Sequence, residues 1–470
     1  MTPGEPPRTS SYVRIWDSPD GGRTFGGDTP PPAGPPPRPP APKNRRARWV
    51  GLVAAVLGLA MIGGVVWYFD PAGDRRSAGV VGGAGTTPSG PPAAGDRRAF
   101  ARYQIDQTLR GQAAALLGGD EAGWLAVTDP GAATKVGDRL RHWFRSFRAM
   151  RATVFTLAAD RLPTEEAGRW RVQVDVGYCF VDAGCKPTPM PMVTIWTVDE
   201  RGQARLYDFA EPGQVELRPR PWEQGDLVAK AGNRVLVVAA PSMAARVDET
   251  LAAADRAAVV DDRFGPHKPP PGRYVIFLPG TAEYPLWYGR DLGAGVAGVA
   301  WPVGPDTVDV VLNPAIFGVE SLDDLLRHEM AHVITLHGAP VSGPFWLREG
   351  MAEYVAYAGV PITRYPWLPA VQAFLKSGRW DGTIEIDRVK LPRVAASGAV
   401  AYGLSHLVVR HIAEQYGEAK LLDFFDAVMH GGEGVEVAAT RILGVPYGEM
   451  AADCVKYVQS VAGPAPPPSD

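Results

Sequence analysis

The stretch Leu326-Arg-His-Glu-Met-Ala-His-Val333 sets His328 and His332 four residues apart with Glu329 beside the first, and no other segment says as much about how the chain is built. Two imidazoles at this spacing face the same way only on a helix. The neighbouring residues ask for one. Ser321 followed by Asp324 resembles a capping box, and Leu322, Leu325, Leu326, Val333 and Ile334 make an apolar stripe. Gly338 and Pro340 then end the segment, leaving His337 outside the pair.

His-Glu-x-x-His on a helix is a pattern that holds zinc for hydrolysis, with the histidines as ligands and the glutamate as base. A catalytic zinc takes three protein ligands and keeps one position for water. The candidate third ligand is Glu349, which lies in Pro344-Phe-Trp-Leu-Arg-Glu-Gly-Met-Ala-Glu-Tyr354. That segment reads as a return helix, with Pro at its start and Gly359 beyond its end.

His-Glu-x-x-His followed by Trp-Leu-x-Glu-Gly-x-Ala-Glu-Tyr resembles the gluzincin metallopeptidases, the group that contains thermolysin and the zinc aminopeptidases. The resemblance implies Zn2+ held by His328, His332 and Glu349, with Glu329 as general base on a zinc-bound water. It implies that Glu353, one turn after Glu349, fixes the tautomer of a ligand histidine, His328 foremost. No His-x-x-Gly-x-x-His follows Glu329, which excludes the metzincin pattern. The Gly-x-Met-x-Asn exopeptidase signature is also missing, Gly295-Val-Ala-Gly-Val-Ala300 being only a loose analogue, so endopeptidase activity is favoured over aminopeptidase activity.

The tetrahedral intermediate of amide hydrolysis needs a hydrogen-bond donor at its oxyanion. In gluzincins this donor comes from a later helix, and the matching segment here is Ala396 to Ile412. Its helical projection gathers Val400, Leu404, Leu407 and Val408 on one face, with Tyr402 and His406 roughly opposite. Tyr402 is the first candidate and His406 the second. His411 falls on the apolar side and reads as a core residue.

Ahead of the motif, Val235-Leu-Val-Val238, Tyr274 to Leu278, Gly293 to Trp301 and Thr307 to Leu312 read as strands, with a helix from Met243 to Val260 between the first two. A small sheet followed by helices is the gluzincin order. In that group an edge strand beside the metal helix binds extended peptide, although these strands read equally well as plain sheet core.

Further out, Trp49 to Phe69 is 21 residues without a charge, enough to cross a membrane as a helix, with Trp49, Trp67 and Tyr68 at its ends and Arg45, Arg46 and Arg48 before it. The expectation is a single N-terminal transmembrane helix in a membrane-anchored bacterial form, with the N-terminus cytoplasmic and the catalytic domain extracellular. Residues 1–48 hold 13 prolines and cannot build a core, so they read as a disordered cytoplasmic tail. Residues 70–97 read as a linker and 462–470 as a disordered tail.

Residues 98–220 read as a small α+β domain: helices over Phe100–Leu117 and Val136–Phe147, then strands over Ala152–Leu157, Trp170–Phe180, Met192–Val198 and Ala204–Phe209. The order resembles cone-shaped domains of the nuclear-transport-factor-two type. The basic run Arg139, Arg141, Arg145, Arg148 and Arg151 reads as a solvated helix face. Cys179 and Cys185 either close a small disulfide loop or stand as free thiols, with Cys454 left over.

The whole therefore reads as α+β, with residues 221–461 as a zinc metallopeptidase-like domain acting on a peptide or protein substrate. A net charge of −3 offers no basic surface for nucleic acid. Two alternatives stand beside this reading: a non-enzymatic cell-envelope binding module with a structural zinc, and zinc hydrolysis of a non-peptide amide or ester.

Overall fold

The central strands of the second sheet, unlike those of the first, are buried on both faces. The computed structural model describes residues 96–463 apart from 186, 188–189, 211–219, 266–271, 288–296, 305–306, 318–320, 338–342 and 387–396. All described residues belong to one compact unit. The Pro-rich stretch 1–48, the apolar segment 49–69, nearly all of 70–97 and residues 464–470 lie outside them.

The first part opens with α1 (Arg97–Gly118), α2 (Glu121–Leu125) and α3 (Thr134–Ala149). Asp96 and Asp120 cap the first two helices by accepting from backbone N–H groups. A meander follows: β1 (Ala152–Ala159), β2 (Thr164–Glu166), β3 (Arg169–Phe180), β4 (Met190–Val198) and β5 (Ala204–Phe209). They form an antiparallel sheet in the order β1-β3-β4-β5, with β2 on β3. Trp124, Trp143, Phe147, Phe155 and Trp196 fill the space between this sheet and the helices, and the void left inside is about 10 Å³, room for at most one water. A disulfide joins Cys179 and Cys185, resolving the alternative between a bridge and free thiols.

Of the basic run, Arg141, Arg145, Arg148 and Arg151 are exposed, as a solvated face requires, and only Arg139 is half-buried; three of the five also make ion pairs. Arg139 meets Glu223 at 2.8 Å, Arg141 meets Asp138 at 2.6 Å, and Arg145 meets Asp226 at 3.2 Å.

The second part begins with α4 (Pro221–Gln224), β6 (Val228–Ala231), β7 (Val235–Ala239), α5 (Val247–Asp261), β8 (Tyr274–Leu278), β9 (Gly298–Gly304) and β10 (Thr307–Leu312). The sheet order is β6-β7-β8-β10-β9; β7, β8 and β10 run parallel, while β6 and β9 are antiparallel edges. Val235, Val237, Ala239, Ile276, Leu278, Val310 and Leu312 face the core shared with α5 and the later helices. Leu236, Val238, Phe277, Val299 and Val311 face the core of the first part, where Trp222 and Phe147 pack. Burial on both faces is why β7 reads as an unbroken apolar run.

The helical remainder is α6 (Leu322–Leu336), α7 (Phe345–Ala356), α8 (Leu368–Lys376), α9 (Ser397–Tyr416), α10 (Glu418–Met429), α11 (Val435–Ala438) and α12 (Tyr447–Ala462). The α+β class stands, but the membrane-spanning helix expected with it requires correction. Among the described residues no helix is long and apolar enough to cross a membrane. The two longest show why: α1 carries Arg97, Arg98, Arg102, Asp106 and Arg110, and α9 carries His406, Arg410, His411 and Glu414. The segment Trp49–Phe69 lies outside the described residues. The single-pass localisation, with a cytoplasmic N-terminus and an extracellular catalytic domain, rested on that span and is withdrawn with it.

Candidate metal centre

Three helices build the centre. Ser321 caps α6, its hydroxyl accepting from the Asp324 backbone N–H. The helix carries His328, Glu329 and His332 inward, exposed by 0%, 2% and 1%. Pro344 precedes α7, which returns with Glu349 and Glu353, both wholly buried. On α7, Gly350 permits close contact with α9, since a Cβ there would stand 2.5 Å from the Ser405 carbonyl oxygen.

His328, His332 and Glu349 present three donor atoms to one point. The two Nε2 atoms are 3.2 Å apart. Glu349 Oε2 lies 3.5 Å from His328 Nε2 and 3.3 Å from His332 Nε2. These three side chains could hold a metal ion.

The donor chemistry fits a cation. Glu353 Oε1 stands 2.8 Å from His328 Nδ1. An ionised carboxylate only accepts, so it keeps the proton on Nδ1 and turns a lone pair outward at Nε2. Burial lowers the His332 pKa, opposed by Glu349, so this ring is neutral at neutral pH. Burial alone would raise Glu349, but His332, His328 and Arg348 outweigh it and hold the carboxyl well below its ordinary range. The neutral His332 ring, the His328 Nε2 and the Glu349 carboxylate therefore converge on one point. With ligand bonds of about 2.0–2.1 Å, tetrahedral zinc would set donors about 3.3–3.4 Å apart, and the observed edges bracket that span.

Glu329 lies against the sheet edge: a Cβ on Gly298, the first residue of β9, would stand 3.0 Å from Glu329 Oε1. Tyr402 on α9 packs edge-on against the His328 ring, centroids 5.7 Å apart. His406, one turn on, stacks on Tyr365 at 4.1 Å. Tyr402 thus touches the His328 ring directly, and His406 sits behind Tyr365, the partner of Glu353. The helical projection could not separate them, because α9 is buried on nearly every side from Val400 to Ile412. His411 pairs with Asp453 at 2.9 Å and stacks on Tyr457.

Three residues at the site were not picked out from sequence. Arg348 lies 3.1 Å from Glu349 Oε1 and is 5% exposed; a charged residue inside an apolar helix, adjacent to a ligand candidate, was the available signal. Tyr365 donates to Glu353 Oε2 at 2.7 Å, and Gly298 makes room for Glu329. Both come from distant segments, and nothing local in the sequence marks them.

No protein-family model matches the chain, and no curated protein is similar to it. Among solved structures it is similar to native yeast LTA4 hydrolase at 15% identity and a TM-score of 0.34, over 59% of this chain and 45% of that one. The same yeast enzyme in complex with bestatin is similar at 15% identity and a TM-score of 0.34, over 52% and 40%. This chain thus spans less than half the length of those structures. A likeness so slight assigns neither fold nor activity.

Proposed function

We propose that the chain is a zinc-dependent hydrolase of the gluzincin type that cleaves peptide bonds, with His328, His332 and Glu349 as metal ligands. The observation that carries this reading is the near-tetrahedral spacing of three lone-pair donors, 3.2, 3.3 and 3.5 Å apart, one residue from a buried carboxylate. Bound there, zinc would acidify a water and polarise a carbonyl.

Glu329 takes the proton of the attacking water and passes it to the departing amine. Tyr402 donates a hydrogen bond to the oxyanion; it is chosen over His406 because its ring packs on His328. Glu353 orients His328. His332 and His328 hold Glu349 ionised against its burial, with Arg348 adding to their effect.

The near-complete burial of His328, Glu329 and His332 favours one rival, a structural zinc in a binding module. Against it, structural zinc sites close with four protein ligands, and among the described residues the group has three. The test is metal analysis plus hydrolysis of a broad peptide library. The proposal expects one zinc per chain and turnover abolished by chelation, with Glu329→Gln keeping zinc and losing about 10²–10⁴-fold in kcat. A folded, zinc-loaded chain inert toward every peptide would transfer the case to the binding module, and a folded chain with no zinc would end both.

A further inference from the structure

Behind the metal ligands runs a line of contacts that the reaction itself does not require. Tyr365 Oη donates to Glu353 Oε2 at 2.7 Å, and Glu353 Oε1 meets His328 Nδ1 at 2.8 Å. The two carboxylate oxygens are thus engaged from opposite ends. All three residues are buried, Tyr365 at 2% and the other two at 0%.

Tyr365 is itself held on several sides. Its ring stacks on His406 at 4.1 Å with planes 24° apart, and meets Tyr357 edge-on at 4.9 Å. Its backbone, φ −67° and ψ 123°, is the extended form that the following Pro366 favours. Pro361 opens the turn Ile362–Arg364 just before it. Arg410 on α9 donates to the Val360 carbonyl at 3.0 Å, tying the loop to the helix that carries His406. A ring fixed by stacking, backbone and loop has little freedom left to lose when its hydroxyl bonds.

We infer that Tyr365 is a positioning residue for the metal centre: its hydroxyl, clamped in place by the stack on His406, pins the Glu353 carboxylate so that Glu353 aims His328 at the ion. The inference rests on the proposed metal-ligand role of His328. A carboxylate with one oxygen bonded can still swing about its Cγ–Cδ axis, and a second bond to the other oxygen removes that motion. His328 then keeps one ring orientation before any ion arrives.

The test is a double-mutant cycle on the full-length chain, read as zinc affinity by competition with a chromophoric chelator at pH 7. Tyr365→Phe keeps the ring and its stack and deletes only the hydroxyl. It is expected to weaken zinc binding about tenfold, the low end for loss of a partner behind a ligand. In a Glu353→Ala background the same change should alter affinity less than twofold, because no carboxylate remains to be held. Affinity within twofold of wild type for Tyr365→Phe alone, or an equal loss in both backgrounds, overturns the role of Tyr365. A folded wild-type chain that binds no zinc overturns the ligand assignment beneath it, and the two failures are told apart by the wild-type titration.

Discussion

Gly298 and Glu329 touch across the seam between β9 and α6: the position of a Cβ on the glycine lies 3.0 Å from the glutamate Oε1. The absence of a side chain at 298 is therefore part of the Glu329 environment. Gly298→Ala is expected to displace the carboxylate by a few tenths of an ångström. Activity should fall about tenfold, in keeping with the sensitivity of proton transfer to placement, while zinc content stays at wild-type level. Steady-state kinetics beside metal analysis checks this; zinc lost in parallel with activity would mean that Gly298 supports the fold of α6 instead.

Glu349→Ala removes a donor and leaves Arg348 buried beside an empty carboxylate position. Zinc affinity should drop by at least a hundredfold, and the metal-free chain should lose about 3 kcal/mol, as when one partner of a buried ion pair is deleted. Glu349→Ala with Arg348→Met should recover part of that stability but none of the zinc affinity. Urea unfolding of the chelated protein separates the two effects.

His406 supplies an acid-side pH dependence. Burial pushes its pKa from 6.5 down to about 4, opposed by Glu353. The unfolded chain therefore takes up a proton before the folded one does. Stability from this group is complete above about pH 6.5 and is lost as pH falls toward 4, by about 3 kcal/mol in all. His406→Leu should lack that component, so wild-type stability minus that of the variant should fall by about 3 kcal/mol in denaturant titrations taken from pH 7 to pH 4.

Asp261 acts with the opposite sign. Burial raises its carboxyl well above 3.8, with Arg327 only partly offsetting it. Among the described residues neither carboxyl oxygen has a hydrogen-bond partner. The folded chain holds this proton longer than the unfolded one, so stability declines as pH rises from about 4 toward the folded value. Asp261→Asn should melt above wild type at pH 8, with the difference shrinking toward pH 4.

The proposed division at residue 220/221 carries a further consequence for truncation. Removing residues 98–220 would bare Leu236, Val238, Phe277 and Val311 on one sheet face. Residues 221–463 alone are expected to aggregate, whereas 96–463 should remain monodisperse by size-exclusion chromatography. A soluble, cooperatively folding 221–463 would show that the first part is dispensable to the second.

Much of the architecture was legible because its elements are local. Strands β5, β8 and β10 fall on the residues that alternation and turn signals indicate, and α6 begins at the Ser321 cap. The convergence of His328, His332 and Glu349 was also readable, since it needs only helical spacing and one return helix. Residues joined by folding alone were out of reach. Tyr365 lies twelve positions past Glu353 on a proline-bounded turn, and Gly298 belongs to an edge strand whose register no local pattern fixes. The same local logic reads a membrane span from the length and hydropathy of 49–69, which lie outside the described residues, and no described helix supplies such a span.

A sheet coated with hydrocarbon on both sides has an awkward property during folding. Where one face is wet, a strand that slips by one residue throws its apolar side chains into water, and the error is penalised at once. Here a slipped β8 or β10 would still find oily neighbours above and below. Two polar groups within the sheet add a penalty for misalignment: the Tyr274 hydroxyl, which reaches Asp262 at 2.8 Å, and the buried Asp309 on the side of Val311. Changing either to a hydrocarbon of equal size would leave burial intact and weaken the penalty for misalignment.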